Sequence, residues 1–207
     1  MTGLRKERTR QSRELLLRAA AELFAEKGYH STSLVDVADR SGVSRGSIPS
    51  HFGDKLGLLR AVVEQLHSDI AESMTTPLAP GAGGARGISH LGRTSIRRHT
   101  TKLFLALLHE ASDPDSPIHT SFAQIHADMR DYLHAWLARP EISTELPPGV
   151  APGDLACAIV GAIIGINQQW SLNPKAVNVA AAYDAFVRTL FNSLDWAGSD
   201  EAEPANA

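Results

Sequence analysis

Residues 34–52 read LVDVADRSGVSRGSIPSHF and contain two short helical patterns separated by a glycine. Apolar residues recur at helical spacing over 34–41, and Gly42 is a typical residue for ending that helix. Ser44 is a favourable N-cap for a second short helix over 45–51. The apolar residues at which the two helices would pack together are Val37, Ala38, Val43 and Ile48. The stretch therefore predicts a helix-turn-helix.

The polar residues of the second helix would lie on its outer surface. They are Ser44, Arg45, Ser47, Ser50 and His51. Small hydroxyls and one arginine at a helix start suit contacts with base edges and phosphates in a DNA major groove. Pro49 interrupts this helix, and its missing N–H is expected to remove the hydrogen bond to the Arg45 carbonyl. In a helix interior a proline costs on the order of 3 kcal/mol, and less where a short helix begins with tighter geometry.

Residues 42–46 also match the pattern G-x-S-x-G, which some hydrolases use to present a nucleophilic serine. That arrangement needs a buried strand directly before the serine, whereas the preceding residues here have helical spacing. A hydrolase using Ser44 is therefore kept only as an alternative, and no catalytic residue is expected. An ordinary helical hairpin with a polar face is a second alternative.

The beginning of the chain is strongly basic. Five cations are opposed by Glu7 alone; they are Arg5, Lys6, Arg8, Arg10 and Arg13. Residues 1–60 carry 11 Lys and Arg against 7 Asp and Glu, whereas residues 61–207 carry 9 against 16. A basic head on an acidic body is typical of a protein whose head contacts a polyanion. We expect Arg5, Lys6 and Arg8 to lie in an arm just before the first helix, within reach of DNA phosphates or a minor groove.

The whole chain has helical periodicity and no alternating strand pattern. Helices are expected at residues 9–27, 34–41, 45–51, 55–74, 86–112, 116–139, 152–171 and 176–195. A Pro- and Gly-rich connection, TTPLAPGAGGARG, separates the fourth from the fifth, and an acidic tail that we expect to be disordered begins at residue 197. The sequence predicts an all-α protein.

Composition excludes several classes of protein. With 207 residues and 43% apolar residues, the chain is long enough to bury a core in one or two domains. No apolar run reaches the roughly 18 to 20 residues that cross a bilayer, and the N-terminus lacks a secretory signal. A single cysteine, Cys157, excludes an internal disulfide and a zinc ribbon, and we expect it to be a small buried residue. A cytoplasmic protein without membrane association is expected.

Residues 19–59, AAAELFAEKGYHSTSLVDVADRSGVSRGSIPSHFGDKLGLL, resemble the tetracycline-repressor (TetR) family of bacterial transcriptional regulators. The positions in register with the family's pattern are Gly28, Tyr29, Thr32, Ser33, Ala38, Gly42, Val43, Ser44, Gly46, Ile48, His51, Phe52 and Lys55. The resemblance implies an N-terminal three-helix DNA-binding domain at residues 1–54. A helical effector-binding and dimerisation domain would follow at 55–196, and an acidic tail at 197–207.

The resemblance also implies roles for individual residues. Thr32 or Ser33, together with Lys55, would bind phosphates. Arg45, Ser47 and His51 would lie on the recognition helix, and Ile48 and Phe52 in the core. Where this family usually has a tyrosine that contacts the DNA backbone, this chain has Pro49, so we expect the contacts to shift toward Arg45, Ser50 and His51. Pro49 itself would be placed to contact a thymine methyl group.

The last two predicted helices suggest a homodimer. The segment LACAIVGAIIGINQQW is apolar on nearly every face, and Gly161 and Gly165 would let another helix approach closely. In the resembled family, two such helices from each protomer form a four-helix dimer face, which presents two recognition helices to a palindromic operator. A monomer that uses these helices as its central core is the alternative.

The middle helices provide candidates for a small-molecule pocket. They are Phe104, Leu107, Leu108, Phe122, Ile125, His126, Met129, Trp136, Asn167 and Trp170. In the resembled family such a cavity receives an effector that releases the protein from DNA. A DNA-binding dimer without an effector, in which these residues are only core, is the alternative. His126, Arg130 and His134 share one helical face, but without a cysteine partner or an HExxH motif no metal site and no cofactor are expected.

Overall fold

The computed structural model describes residues 2–75, 98–144, 146 and 149–191. Within these ranges the regular secondary structure is entirely α-helical, which confirms the predicted fold class. The helices are α1 (Thr2–Lys27), α2 (Leu34–Ser41), α3 (Ser47–Phe52), α4 (Lys55–Thr75), α5 (Arg98–Ala111), α6 (His119–Leu137), α7 (Pro140–Ser143), α8 (Pro152–Leu172) and α9 (Val179–Phe191).

The described residues divide into two compact units. The first contains residues 2–75 and 98–130, and the second contains the described part of 131–191. The division falls inside α6. The functional boundary expected at residue 54 stays a prediction, because α4 packs against α1 and α3 of the predicted DNA-binding domain and also against α5.

The first unit is built around α1. This helix packs against α2, α4 and α5, and α4 also packs against α3. The buried side chains of α1 and α4 include Leu16, Ala20, Leu23, Phe24, Leu58, Leu59, Val62, Val63 and Leu66. Their spacing at three and four residues places them on one face of each helix, because the α-helix has 3.6 residues per turn. The core so formed holds the short helices α2 and α3 at one end.

In the second unit α8 packs against α9. The buried side of α8 carries Leu155, Ala156, Ile159, Val160, Ile163 and Asn167, and α9 contributes Tyr183 and Val187. Cys157 is exposed, so the prediction that it is buried is wrong: it lies one position beyond the stripe that faces the core. By length and composition α8 is also apolar enough to cross a bilayer, with a mean hydropathy of 1.4 over its 18-residue window. A core helix of a soluble protein meets the same criterion.

Several predicted boundaries differ from the structure. Residues 140–143 form a short helix inside a predicted connection, because Pro140 is well suited to the first position of a helix. The predicted helical residues 86–97 and 192–195 lie outside the described residues. The connection at 75–87 lies outside them except for its first residue, Thr75, which ends α4, and the tail at 197–207 lies wholly outside them.

Candidate nucleic-acid interface

Helix α2 has well-formed signals at both ends. Its N-cap is Ser33, whose side chain accepts a hydrogen bond from the Asp36 N–H, while the Asp36 carboxylate accepts from the Ser33 N–H. This reciprocal capping box satisfies two backbone donors that a helix start leaves open. At the other end Gly42 has a φ of 68°, a left-handed conformation that favours glycine. The chain therefore turns sharply after eight residues and enters α3.

The entry to α3 explains how the helix accommodates Pro49. Ser47 N–H donates to the Ser44 carbonyl at 2.9 Å, and Ile48 N–H donates to the Arg45 carbonyl at 3.1 Å. These tight bonds span three residues and precede the regular helix, whose N-cap is Gly46. The prediction that Ser44 caps α3 is therefore wrong, as is the expected loss of a bond at the Arg45 carbonyl. Pro49 lies in the first turn, where the N–H would have no helical partner anyway.

The outer surface of α3 carries the predicted recognition residues. Ile48 is fully buried and holds the helix to the core, whereas Ser44, Arg45, Pro49 and Ser50 are exposed. Ser47 and His51 are half-buried. The Ser44 and Ser47 hydroxyls lie 3.1 Å apart, and the Ser50 hydroxyl donates to the Ser47 carbonyl at 2.7 Å. The exposed Arg45 guanidinium and the neighbouring Pro49 ring give this surface one charged and one apolar contact group. A nucleophile elbow is absent here, because the residues before Ser44 form helix α2 and not a strand.

The two candidate phosphate-binding hydroxyls before α2 have different surroundings. Thr32 is buried, and its hydroxyl lies 2.8 Å from the Gly28 carbonyl, to which it donates at the end of α1. Ser33 is exposed and caps α2. The structure thus gives Thr32 a contact within the protein and leaves Ser33 as the accessible hydroxyl of the pair.

Lys55 is held in place by the turn between α1 and α2. Its ammonium lies 4.4 Å from the centre of the Tyr29 ring and donates to the His30 carbonyl at 3.2 Å. Burial lowers the pKa of Lys55, and burial also raises the pKa of Tyr29, with Glu110 and Asp54 adding to that shift. The sequence did not predict a role for Tyr29, although its place in the Gly28-Tyr29 pair of the resembled pattern was a signal for one.

The turn that holds Lys55 is also tied to α5. His30 Nε2 lies 2.7 Å from Glu110 Oε2, near the end of α5. The Tyr29 ring packs edge-on against Phe24 of α1, with ring centres 5.5 Å apart. The turn is therefore attached to α1 and to α5 by separate contacts.

The basic N-terminus is helical, so the prediction of an arm ahead of the first helix is wrong. Helix α1 begins at Thr2 and includes Arg5, Lys6 and Arg8 in its backbone. Arg10 bonds to Glu7 and Glu14, three residues before it and four after it, and such pairs stabilise a helix of good helix-forming residues. Lys6 and Arg8 are exposed on this helix.

Arg13, further along α1, contacts the end of α3. Its guanidinium lies 5.3 Å from the centre of the Phe52 ring, within the range of a cation–π interaction. The same ring has the half-buried His51 beside it, with ring centres 5.9 Å apart. The sequence identified Arg13 only as one of the basic residues at the start of the chain and did not predict this contact.

Ion pairs fasten α2 to α1. The Lys27 ammonium lies 2.8 Å from Asp36, and Arg40 bonds to Glu22 and Glu26. Lys27 holds the pKa of the Asp36 carboxyl well below its usual range, and the hydrogen bonds from Ser33 add to this effect. Because these pairs are solvated, each contributes little on its own. Together they fix the direction in which α2 leaves α1.

Seven of the predicted pocket residues belong to the first unit. Phe104, Leu107, Phe122, Ile125 and Met129 are buried, and Leu108 and His126 are half-buried. The Phe104 ring is stacked on Phe122, with centres 5.4 Å apart, and lies 5.6 Å from the His126 ring. Burial lowers the pKa of His126, with Arg130 contributing, which favours the neutral imidazole. The structure thus brings three of these candidates together as an aromatic cluster.

The first unit also contains a groove that the sequence did not predict. Its volume is about 330 Å³, and it lies between α1, α4 and α5. It is lined by Glu14, Leu17, Arg18, Ala21, Val62, Gln65, Leu66, Asp69, His99, Thr100 and Leu103. Apolar side chains and side chains of both charges line this groove, and none of the predicted pocket residues does.

The other three predicted pocket residues belong to the second unit. Trp136 and Asn167 are buried, and Trp170 is half-buried. The Asn167 side-chain N–H groups donate to the Ile163 carbonyl at 2.9 Å and to the Tyr183 hydroxyl at 2.6 Å. Burial raises the pKa of Tyr183, so its hydroxyl stays protonated. This contact joins α8 to α9 through a polar bridge in an otherwise apolar interior.

The two short helices, their buried Ile48 and the exposed residues of α3 define a helix-turn-helix protein of the class that binds DNA. The family profile described as bacterial regulatory proteins of the tetR family matches residues 16–62. The HTH-type transcriptional regulator AcrR of Shigella flexneri is 39% identical over 193 residues, covering 89% of this chain and 90% of the relative. The chain belongs to the TetR family, as its sequence predicts.

Two solved structures share the fold. NalD, the secondary repressor of the MexAB-OprM multidrug efflux pump in Pseudomonas aeruginosa, has a TM-score of 0.70 at 22% identity, over 92% of this chain and 100% of that one. A complex of triclosan with SmeT, the repressor of the Stenotrophomonas maltophilia efflux pump SmeDEF, has a TM-score of 0.69 at 20% identity, over 95% and 99%. The likeness covers almost the whole of each chain.

Proposed function

We propose that this protein is a homodimeric, cytoplasmic transcriptional repressor that binds a palindromic operator through α3 and leaves it when a small molecule binds in its helical body. The observation that carries the DNA-binding part is the surface of α3 and of the turn before it. The buried Ile48 fixes the helix, Pro49 and Ser50 are exposed on it, and Arg45 is exposed in the turn. Residues 1–54 would be the DNA-binding domain, and residues 55–196 would bind the effector and form the dimer.

Affinity and specificity would come from different residues. Lys6, Arg8, Ser33 and Lys55 are placed to contact phosphates, which supply affinity without reading sequence. Arg45 is placed to read base edges, since an exposed guanidinium matches the paired acceptors of guanine in the major groove. Two α3 helices about 34 Å apart in a two-fold dimer would then read two half-sites one turn of DNA apart.

The dimer part of the proposal is supported by α8 and α9. Cys157, Ala158 and Gly161 are exposed on the side of α8 away from its buried stripe, and Leu172 at its end is 80% exposed. An apolar helix with a second exposed apolar side is typical of a subunit interface. The effector part is supported by the relatives, among which SmeT has been solved with triclosan.

In vitro selection of bound DNA from a random pool tests the proposal. We expect a palindromic site from the wild-type protein. With Arg45→Ala, the preference should relax at one position in each half-site, corresponding to about 1–3 kcal/mol. Lys102→Ala on α5 removes an equal charge outside both the helix-turn-helix and the α8–α9 pair and is expected to leave the selected sequence unchanged. A selected pool without a palindrome, or a palindrome that Arg45→Ala leaves intact, would contradict the proposal.

Pro49 provides a second test of the same surface. The Pro49→Tyr variant restores the residue usual in the resembled family, with its hydroxyl and backbone N–H. If the contacts of this protein have shifted to Arg45, Ser50 and His51, the variant should bind the selected operator with altered affinity and preference. Unchanged affinity and an unchanged selected sequence would show that Pro49 has no part in recognition.

A further inference from the structure

Asn167 has a hydrogen-bonding atom that its surroundings do not use. The residue is 5% exposed, and both hydrogens of its amide nitrogen are donated, one to the Ile163 carbonyl and one to the Tyr183 hydroxyl. Its Oδ1 is buried and has no hydrogen-bond partner among the residues that the structure describes. Rotating the amide by half a turn would place Oδ1 against the Ile163 carbonyl oxygen, so the nitrogen contacts fix where Oδ1 points.

A structural role accounts for only part of this side chain. The nitrogen ties α8 to α9, and the Tyr183 hydroxyl is itself 3.3 Å from the Ile163 carbonyl. A buried polar atom without a partner is uncommon in native proteins and calls for a physical explanation. The rest of the buried stripe of α8 is apolar, so the oxygen has no place in an ordinary core.

A second atom of this kind lies in the same compact unit. Trp136 is 1% exposed, and its Nε1–H has no acceptor among the described residues. An indole nitrogen usually finds a partner when it is buried. Among its described residues the unit therefore has an acceptor and a donor without partners, both on residues that the sequence predicted to contact an effector.

The surroundings of these atoms limit the chemistry of a ligand. Among the described buried side chains of this unit none is charged, and the polar groups are the Asn167 amide, the Tyr183 hydroxyl and the Trp136 indole N–H. A charged ligand would lose its hydration without gaining a counter-ion, which is costly in an apolar interior. A neutral molecule with a mainly apolar body and one group that donates a hydrogen bond satisfies both the apolar surroundings and Oδ1.

We propose that Asn167 Oδ1 and Trp136 Nε1 are the polar recognition atoms for the effector, which is a neutral, largely apolar molecule bearing a hydroxyl or an amide. This inference rests on the proposed function, because it assigns the chemistry of the ligand to that same effector site. Asn167 accepts from the hydroxyl or amide N–H of the ligand. Trp136 donates to an oxygen of the ligand.

Matched compounds test this inference in the full-length protein. The probes are 1-naphthol, 1-methoxynaphthalene, naphthalene and 1-naphthoate, and binding is measured by fluorescence titration and thermal shift. We expect 1-naphthol to bind about fivefold or more tightly than naphthalene, as one extra hydrogen bond between neutral groups provides. The charged 1-naphthoate is expected not to bind.

Variants then assign the preference to the two atoms. In Asn167→Leu, 1-naphthol should bind no more tightly than 1-methoxynaphthalene, because the acceptor for the hydroxyl is gone while the Trp136 contact and the apolar surroundings remain. In the wild-type protein 1-methoxynaphthalene should bind more tightly than naphthalene, because its ether oxygen accepts from Trp136. In Trp136→Phe this advantage should disappear, and this variant provides the readout if Asn167→Leu does not fold. Tyr183→Phe is the structural control: it should lower the melting temperature and keep the preference for 1-naphthol.

Three results would overturn the inference. They are equal binding of 1-naphthol and naphthalene by the wild-type protein, as expected if a buried water alone satisfies the two atoms; a preference for 1-naphthol over 1-methoxynaphthalene that survives Asn167→Leu; and no binding of any probe. The selected operator separates these results from the proposed function. If compounds without a hydrogen-bonding group release the operator, the inference fails and the ligand-responsive repressor stands. If a broad chemical library contains no compound that releases the operator, the ligand-responsive part of the proposed function fails too.

Discussion

The helix-turn-helix and the α8–α9 pair differ in the hydrogen bonding of their buried polar groups and in the polarity of their exposed residues. In the first, the buried Thr32 hydroxyl donates within the protein, the start of α2 is capped by Ser33, and the exposed groups of α3 are polar or small. In the second, the buried Asn167 has an unused oxygen, and apolar residues such as Leu172 are exposed. The first region is complete as a fold and offers a polar surface to an anionic partner. The second has polar atoms and apolar side chains for which the described residues supply no partner.

The largest expected effect on stability comes from truncating Ile48 in the helix-turn-helix. The side chain is fully buried, so Ile48→Ala should lower the free energy of unfolding of the first unit by about 2–5 kcal/mol. The measurement is denaturant unfolding followed by circular dichroism. Val35→Ala on the neighbouring α2 is the control, because Val35 is 44% exposed and should change stability by less than about 0.5 kcal/mol. Equal effects of the two substitutions would show that α3 is not anchored by Ile48.

The second prediction concerns the α8–α9 pair and its proposed role in dimerisation. In α8 a Cβ added at Gly161 would meet no atom of the described residues within 4 Å. If α8 packs against a second copy, Gly161→Leu should overfill that interface by about 1–3 kcal/mol and raise the dimer dissociation constant about fivefold or more. Sedimentation velocity over a concentration series measures this shift. Gly153→Leu, in open space at the start of the same helix, is the control, and a Gly161→Leu variant that dimerises like the wild-type protein would place the interface elsewhere.

The same contrast explains which parts of the fold could be predicted from the sequence. The limits of α2 were predictable because Ser33 and Gly42 act locally, through a cap and a left-handed turn. The start of α1 was not, because its basic residues suggested an arm, whereas ion pairs across one helical turn around Arg10 favour a helix. The start of α3 was misplaced by two residues, since the tight bonds to the Ser44 and Arg45 carbonyls leave no sequence signal.

The candidate sites divide in the same way. The exposed surface of α3 was predictable, because helical periodicity decides which residues face outward. Contacts between residues far apart in the sequence were not, and they include Arg13 with Phe52, Lys55 with Tyr29, and His30 with Glu110. The sequence named Asn167 and Trp136 as polar and aromatic candidates, but it gave no sign that an atom of each would lack a partner among the described residues.

The third prediction concerns the positioning of Lys55, which follows the helix-turn-helix. Tyr29→Leu removes the ring beneath Lys55, whereas Tyr29→Phe keeps it. A cation–π contact provides about 0.5–1 kcal/mol at exposed sites and about 2 kcal/mol when desolvated, and this one is half-buried, so Tyr29→Leu should weaken operator binding several-fold and Tyr29→Phe should be close to wild type. Titrations over a range of salt concentrations distinguish positioning from charge. Lys55→Met should reduce the slope of log affinity against log salt concentration by the contribution of about one phosphate contact. Tyr29→Leu should keep that slope. A Tyr29→Leu variant with unchanged affinity would mean that Lys55 needs no ring to hold it.

The smallest expected effect is the pH dependence of the contact between α1 and α2. The Lys27 ammonium and the Ser33 hydrogen bonds lower the pKa of Asp36 in the folded protein, so its contribution to stability is present above the unfolded pKa of about 4 and is lost as the pH falls below it. Asp36→Asn should therefore destabilise the protein slightly at pH 7, and the difference from wild type should shrink between about pH 4 and pH 2. Unfolding midpoints across this range measure the change. Asp39→Asn, an exposed neighbour on α2, is the control, and its unfolding midpoint should change at acidic pH in the same way as that of the wild-type protein. If the unfolding midpoints of both variants changed with acidic pH in the same way, the contact between Lys27 and Asp36 would contribute nothing to the packing of α2 on α1.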